Sequence, residues 1–274
     1  MDIMMEHSGK LFTLITGASV GIGRALAIEC AKRDMNLMLV DLPDSALDST
    51  IRYLKKYYSV EVESLAIDLT TPNAPMEIYK HCMEQGIMVD MLINNAGLGY
   101  LSPFCNNEYR FYEKILRLNI ESVVLLTRLF LPDMKELEKA YILNLGSIAS
   151  FYPIPFKIVY AGSKNFVFSF SRALKTELKN TPVKVSILCP GPILTNQEVI
   201  QRIRVGGVWA RLSTMRANKV AKIAISNLLN GKTVIIPGFV NKFFSTINKI
   251  IPPNLKQRLL FNKFNVKSES YFGK

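Results

Sequence analysis

The stretch Thr16-Gly17-Ala18-Ser19-Val20-Gly21-Ile22-Gly23 decides the fold of this chain. It joins an apolar run of strand length, residues 11–16, to an amphipathic segment of helix length, residues 21–33. Glycines at this spacing let the backbone turn tightly against a pyrophosphate, and the helix N-terminus offers N–H groups and a positive dipole to the anion. This context predicts a dinucleotide-binding turn, although the same glycines could serve only close helix–strand packing. The residues expected to line it are Gly17, Ser19, Val20, Gly21, Ile22 and Gly23.

Beyond this turn, strand-length apolar runs alternate with helix-length amphipathic segments. We expect strands over residues 11–16, 36–41, 62–67, 89–94, 141–145, 183–188 and 233–236. Helices are expected over residues 21–33, 45–57, 160–179 and 217–229, after Pro72, and as one long helix ending near Pro132. Such alternation implies a parallel sheet covered on both faces, and right-handed crossovers favour a doubly wound α/β (Rossmann) fold of about seven strands. We predict one domain, residues 1–237, with a C-terminal extension, residues 238–274.

Composition points to a folded protein without disulfides or metal. The chain has 274 residues, of which 49% are apolar and 20% charged, and this size buries a sufficient core. The only histidines, His7 and His81, have no partner at ligand spacing, so no metal site is expected and a Ser-His-Asp hydrolase is excluded. The cysteines form no C-x-x-C pair and are expected to be reduced, mostly buried thiols of a cytoplasmic protein: Cys30, Cys82, Cys105 and Cys189.

Asp41 ends the second predicted strand, eighteen residues after Gly23. A carboxylate there can accept hydrogen bonds from the adenosine ribose and would repel the extra phosphate of NADP. NAD(H) is therefore favoured, although the nearby Arg24 keeps NADP(H) open. A turn or helix-cap role is the alternative for Asp41, and equally for Asp68 after the third strand.

Further motifs follow the remaining strand ends in order. Tyr-x-x-x-Lys alone is weak, since about one chance match is expected in a chain of this composition, but the ordered set is specific. The motifs are Asn94-Asn95-Ala96-Gly97, Asn119, Ser147, Tyr160-Ala161-Gly162-Ser163-Lys164 and Pro190-Gly191-Pro192-Ile193-Leu194-Thr195. With this ordered set, residues 10–237 of the chain resemble the short-chain dehydrogenase/reductase family.

The resemblance implies catalytic roles at four positions. Tyr160 would be the general acid in carbonyl reduction and the base in alcohol oxidation. Lys164 would lower the pKa of Tyr160 and hold the nicotinamide ribose. Ser147 would hydrogen-bond the substrate oxygen, and Asn119 would position a water in a proton relay. Residues four apart share a helix face, so Tyr160 and Lys164 can act on one ligand.

The same resemblance implies further contacts to a nicotinamide cofactor. Asn95, Ala96 and Gly97 would line its adenosine side. Asp68 would meet the adenine ring, with Leu69 beside it. The residues expected to border the nicotinamide are Pro190, Gly191, Ile193 and Thr195.

The C-terminal quarter carries nearly all of the net charge. Residues 199–274 hold 14 Lys and Arg against the single acidic residue Glu269, whereas residues 1–198 are close to neutral. After Pro237, apolar residues recur at helical spacing beside lysines, a pattern typical of interfacial helices. Packing on the domain or a second subunit, and peripheral contact of residues 239–264 with an anionic membrane, both remain open. No nucleic-acid partner is expected.

The sequence favours a carbonyl/alcohol oxidoreductase that is NAD(H)-linked and forms a homo-oligomer. The apolar residues of segment 196–214 suggest an apolar substrate, acyl or steroid-like. A non-catalytic nucleotide-binding sensor and a membrane-surface scaffold on the same fold are the alternatives. A complete proton-relay set argues against the sensor, because a binding module needs no relay.

Overall fold

The structure is a computed structural model, and it describes residues 10–43, 45–194 and 212–247. Its strands are β1 (Lys10–Thr16), β2 (Asn36–Asp41), β3 (Val62–Ala66), β4 (Ile87–Asn94), β5 (Ala140–Leu145), β6 (Val183–Leu188), β7 (Ile193–Leu194), β8 (Met215–Arg216) and β9 (Val234–Ile235). Its α-helices are α1 (Gly21–Ala31), α2 (Ser45–Tyr57), α3 (Ala74–Glu84), α4 (Tyr109–Leu116), α5 (Ser122–Lys135), α6 (Ile158–Glu177), α7 (Ala217–Leu229) and α8 (Phe239–Ile247).

Seven strands form one parallel sheet in the order β3-β2-β1-β4-β5-β6-β9. The chain builds outward from β1 to β3, then returns to the other side of β1 with β4. Ligands of such sheets bind beyond the carboxyl ends of the strands where the order reverses, here between β1 and β4. The predicted doubly wound fold is confirmed.

Each face of the sheet carries its own layer of helices. Neighbouring strand residues point to opposite faces, so Leu92 packs in one core and Ile93 in the other. The Ile93 core includes α1 and α7, and the Leu92 core includes α3, α5 and α6. Burial on both faces explains why the strands read as continuous apolar runs.

The long helix expected to end near Pro132 spans α4 and α5 and ends at Lys135, with one irregularity that periodicity did not predict. A π-helical turn, Arg117–Glu121, separates α4 from α5, because the buried Asn119 is held by hydrogen bonds to the backbone of Leu98. Helix α5 also continues through the exposed Pro132 to Lys135. The fully buried Met134 anchors that last turn in the core, which outweighs the one backbone donor that proline lacks.

The short pair β7–β8 was not predicted, because two-residue strands show no periodicity. It joins the residues on either side of segment 195–211, with Ile193 opposite Met215. Among the described residues, no helix is both long enough and apolar enough to cross a bilayer.

Candidate active site

The glycine-rich turn between β1 and α1 forms a tight cradle. Gly17 and Gly21 have positive φ, +66° and +59°. A side chain on Gly23 would overlap the carbonyl oxygen of Gly17. The residue that caps α1 is the exposed Val20, whose side chain accepts no hydrogen bond, and the first turn has no acidic residue. Backbone N–H groups at this helix start can therefore meet an anion, which fits a dinucleotide pyrophosphate.

Thr16 fastens this cradle to the end of β4. Its Oγ1 accepts hydrogen bonds from the backbone N–H groups of Asn95 and Ala96, both at 3.0 Å. The Asn95 amide donates in return to the carbonyl oxygens of Thr16 (2.8 Å) and Gly17 (2.9 Å). Sequence reasoning did not select Thr16 as a site residue, because a strand-end threonine carries no distinctive signal.

Asp41 lies beside the cradle at the end of β2. Its carboxylate accepts the backbone N–H groups of Ser19 (2.7 Å) and Leu42 (2.8 Å). The guanidinium of Arg24 lies 4.9 Å from the centre of the Tyr53 ring, on α2. The carboxylate is thus fixed in place, and Arg24 is engaged with an aromatic ring.

Asp68 closes the turn that follows β3. Its carboxylate accepts the N–H of Thr70 at 2.8 Å, and its carbonyl accepts the Thr71 hydroxyl at 2.8 Å. The neighbouring Leu69 is buried in the core. A turn-capping role accounts for these contacts, and the adenine contact stays a prediction.

The predicted catalytic residues converge at the carboxyl ends of β4 and β5. Lys164 Nζ is buried and donates to the carbonyl oxygen of Leu145 at 2.8 Å. The Ser147 hydroxyl hydrogen-bonds to Tyr160. A side chain on Gly97 would come within 3.2 Å of Lys164 Nζ, so this glycine clears space for the ammonium group. Ser147, Tyr160 and Lys164 therefore form one cluster, as the sequence predicted.

The Asn119 side chain joins the segment after β4 to helix α6, which carries Tyr160 and Lys164. The amide nitrogen donates to the Leu98 carbonyl and to Ser163 Oγ, each at 3.0 Å, and the amide oxygen accepts the Leu98 N–H at 2.8 Å. Ser163 in turn donates to the Tyr160 carbonyl at 2.8 Å. Both amide hydrogens are thus used within the protein, and the positioning of a relay water stays a prediction.

Burial controls the electrostatics of the cluster. It lowers the pKa of Lys164 to about 8, because an ammonium group is costly to remove from water. Burial also raises the pKa of Tyr160, and the hydrogen bond from Ser147 opposes that rise. The lowering of the Tyr160 pKa by Lys164 stays a prediction, and the Lys164 ammonium donates to the Leu145 carbonyl.

The segment after β6 borders the same cluster. The carbonyl of the buried Pro190 accepts the backbone N–H of Ile148, the residue after Ser147, at 3.0 Å. Gly191 and the half-buried Ile193 follow it. Thr195 lies outside the described residues, as does most of segment 196–214.

Supporting residues at the site went unnoticed in the sequence. Gly99 lies against the Tyr160 ring, where a Cβ would be 3.3 Å from Cε2. Ser150 accepts the Ser147 N–H at 3.3 Å and donates to the Lys164 carbonyl at 2.8 Å. Small residues of this kind occur throughout the chain, so only their spacing from Ser147 and Tyr160 could have selected them.

The cysteines and the possible metal ligands complete the description of the site. Cys30, Cys82 and Cys189 are buried and Cys105 is exposed, as expected for mostly buried thiols. Burial raises the pKa of Cys189, which lies near Lys164, to about 12. Within the part of the chain that the structure describes, no group of three His, Cys, Asp or Glu side chains could hold a metal ion.

Known proteins share both sequence and structure with this chain. Residues 12–202 match the short chain dehydrogenase family model. A zebrafish (Danio rerio) very-long-chain 3-oxoacyl-CoA reductase-A is 31% identical over 73% of this chain and 63% of its own length. Human 17-beta-hydroxysteroid dehydrogenase type 3 is 32% identical over 67% and 59%. A short-chain dehydrogenase from Sphingobium yanoikuyae, solved with NADPH, is 27% identical with a TM-score of 0.75, over 88% of this chain and 93% of its own.

The chain spans about three fifths of the length of the first two of these relatives. The short chain dehydrogenase family model matches well over half of this chain. The matched residues include the glycine-rich turn, the end of β4 and the Ser147–Tyr160–Lys164 cluster. The chain therefore belongs to the short-chain dehydrogenase/reductase family.

Proposed function

We propose that this chain is a nicotinamide-dependent oxidoreductase that interconverts a carbonyl group and an alcohol. One observation supports this most: Ser147 and Tyr160 share a hydrogen bond beside the buried Lys164, at the carboxyl ends of β4 and β5, next to the reversal point of the sheet. A bound nicotinamide cofactor supplies the hydride. The protein then has to supply a proton, a hydrogen-bond donor for developing negative charge, and orientation.

The described geometry suits each of these tasks. Tyr160 remains protonated at neutral pH, since burial raises its pKa, and can therefore give its proton to a carbonyl oxygen during reduction. With substrate bound, the single Ser147 O–H would turn from Tyr160 to that oxygen and donate a second hydrogen bond to it. Lys164 faces the same space and, with a pKa near 8, is charged at neutral pH, where it can hold a ribose hydroxyl and stabilise the tyrosinate left behind.

NADH is the proposed cofactor, in preference to NADPH. The Asp41 carboxylate is fixed at the end of β2 by two backbone N–H groups, where it would repel a 2′-phosphate. Arg24, the basic residue nearest the turn in sequence, contacts the Tyr53 ring. The NADPH-bound relative shows that the fold also accepts the other cofactor.

An apolar carbonyl compound is the proposed substrate. Two curated relatives carry names that refer to very-long-chain 3-oxoacyl-CoA and to a 17-beta-hydroxysteroid. Both substrate classes join one reacting oxygen to a large apolar body. The segment after β7 in the sequence is the one expected to form the loop beside the substrate. It contains the apolar residues Val205, Val208, Trp209 and Leu212.

Nicotinamide absorbance, followed with a panel of carbonyl compounds, tests this function. The panel holds 3-oxoacyl-CoA thioesters, steroid ketones and sugar ketones, each with NADH and with NADPH. We expect turnover with an acyl or steroid ketone, faster with NADH. Tight cofactor binding without turnover of any compound would contradict an enzyme and favour the nucleotide-binding sensor.

A contact of helix α8 with an anionic membrane surface is a second proposal. Two polar residues of this helix, Asn241 and Ser245, are buried, whereas 83% of Phe239 and 51% of Phe243 are exposed. The two exposed rings stack with centroids 6.4 Å apart. The exposed Lys242 precedes Phe243 in the sequence, in the part of the chain that carries the excess positive charge. Exposed aromatics beside cationic residues favour the interface of an anionic bilayer.

A further inference from the structure

Asn241 is a buried polar residue on a helix that follows the last strand of the sheet. Only 3% of its surface is exposed. Its amide nitrogen donates to the carbonyl oxygens of Ser213 and Pro237, each at 2.9 Å. Both partners are acceptors, so the amide acts as a double donor. Sequence reasoning assigned no role to this residue.

Asn241 also packs directly on the backbone of Gly191. A Cβ at position 191 would lie 2.5 Å from Asn241 Oδ1 and 2.6 Å from Nδ2. Since Gly191 does not have a positive φ, its backbone conformation does not demand glycine. The close approach of Asn241 accounts for the absence of a side chain there.

The three contacts of Asn241 connect separate parts of the active site. Gly191 follows Pro190, whose carbonyl oxygen accepts a hydrogen bond from the backbone N–H of Ile148, the residue after Ser147. Ser213 lies just before β8, whose pairing with β7 begins where the Met215 N–H meets the Pro192 carbonyl at 3.1 Å. Pro237 ends the chain segment that leaves β9. One side chain therefore joins the loop beside the catalytic cluster to the base of segment 195–211.

We propose that Asn241 is a positioning residue that fixes the Pro190–Gly191 loop against the nicotinamide end of the cofactor. This inference rests on the proposed function. The adenosine end meets other elements, namely the glycine-rich turn and β2, which Asn241 does not touch. Loss of Asn241 should therefore disturb the nicotinamide and substrate while leaving the affinity for the adenosine portion intact. The proposed role of Asn241 also makes helix α8, the first helix of the C-terminal extension, a component of the active site.

Fluorescence of bound NADH tests the proposal without requiring turnover. Asn241→Leu keeps the size of the side chain but removes both donors, and Thr246→Val, on the exposed face of the same helix, is the matched control. We expect Asn241→Leu to bind NADH with a Kd within about threefold of wild type. The emission of its bound nicotinamide should differ from that of wild type, and kcat/KM should fall about 10–100-fold, since small misplacements of reacting groups are costly.

Three outcomes of this experiment would count against the proposal. Unchanged nicotinamide emission and kcat/KM in Asn241→Leu would contradict it. A parallel loss of stability, NADH affinity and turnover would show a purely structural role and overturn it. Wild-type protein that binds neither NADH nor NADPH would instead contradict the proposed function, and this inference with it.

A double-mutant cycle covers the case in which Asn241→Leu does not fold. Gly191→Ala places a methyl group against Asn241 and should lower kcat/KM at least about tenfold. In an Asn241→Ala background that methyl group has room, so the same change should have an effect of about twofold or less. Equal effects in both backgrounds would contradict the proposed contact.

Discussion

The proposed preference for NADH rests on a single charge, that of the Asp41 carboxylate. Asp41→Asn keeps the shape of the side chain and an acceptor for the Ser19 N–H, but removes the charge that repels a 2′-phosphate. We expect the preference for NADH over NADPH to fall about tenfold, which corresponds to about 1.4 kcal/mol. Parallel titrations of both cofactors measure it, with the exposed Asp48→Asn as the control. Tighter binding of NADPH than NADH by the unmodified protein would show that Asp41 does not set the preference.

Lys164 should make the stability of the protein depend on pH. Burial lowers its folded-state pKa from 10.5 to about 8. Below pH 8 the lysine is protonated in both the folded and unfolded states, so the folded state carries the full cost of the buried charge. Between pH 8 and 10.5 the unfolded state binds more protons, and that cost disappears as the pH rises.

Lys164→Met should therefore stabilise the fold at neutral pH, although it abolishes the proposed chemistry. The free energy of unfolding of Lys164→Met should exceed that of wild type by on the order of 3 kcal/mol at pH 7. This difference should shrink towards pH 10. Urea unfolding at pH 7 and 9.5 measures it, with the exposed Lys222→Met as the control. A difference between wild type and Lys164→Met that stays constant with pH would contradict the account of the buried ammonium.

Residues with a distinctive type at a distinctive spacing were predictable from sequence. Tyr160, Lys164 and Ser147 meet as expected, because strand ends and helix faces follow from the apolar pattern. Ser150 and Ser163 were not predictable, since a serine that supports another side chain leaves no local pattern. The hydrogen bond from the Lys164 ammonium to the Leu145 carbonyl was not predictable for a related reason: sequence reveals that a lysine is near Tyr160, but not where its ammonium group donates.

At the level of elements, a buried polar seam joins β4, β5 and α6. The Asn94 amide donates to Asn144 Oδ1 at 2.8 Å, and the Asn144 amide donates to Ser171 Oγ at 2.9 Å. Asn144→Leu leaves polar groups of Asn94 and Ser171 buried without these partners. The free energy of unfolding should fall by about 2–4 kcal/mol. Urea unfolding measures it, with the exposed Asn180→Leu as the control, and a loss no larger than that of the control would rule out a stabilising seam.

Periodicity in the sequence predicted the core strands and helices. It did not predict the π-helical turn Arg117–Glu121 or the continuation of α5 past Pro132. The π-helical turn arises because Asn119 must reach the backbone of Leu98, a contact across the fold that helical periodicity cannot indicate. The helix continues three residues past Pro132, because Met134 packs in the core beyond it. Tertiary contacts decided both cases against local propensity.

At the scale of the whole molecule, helix α8 is the proposed contact with an anionic membrane. Phe239→Ser/Phe243→Ser should reduce sedimentation with anionic vesicles at least about tenfold, since burying one such side chain contributes roughly 1.5–3 kcal/mol. Tyr57→Ser/Met83→Ser removes two exposed apolar side chains from the C-terminal ends of α2 and α3 and is the matched control. Binding should also weaken with salt. Wild-type protein that does not sediment with anionic vesicles at low salt would contradict the membrane proposal.

The boundary between domain and extension, placed after residue 237 from sequence, stays a prediction. Helix α8 nevertheless packs on the domain through the buried Asn241 and Ser245, whereas its Phe239 and Phe243 are exposed. An amphipathic pattern shows which residues share a face but not which face turns inward, so sequence could not decide between packing and exposure.

The central claim is that Tyr160 carries the proton of a nicotinamide-dependent reaction. Tyr160→Phe removes only the phenolic oxygen, and Tyr109→Phe, at an exposed tyrosine, is the control. Steady-state turnover and NADH affinity are measured together for both variants, with the substrate that the panel identifies. We expect Tyr160→Phe to bind NADH as wild type does and to lose about 10²–10⁴-fold in kcat. Turnover close to wild type in Tyr160→Phe would contradict the account.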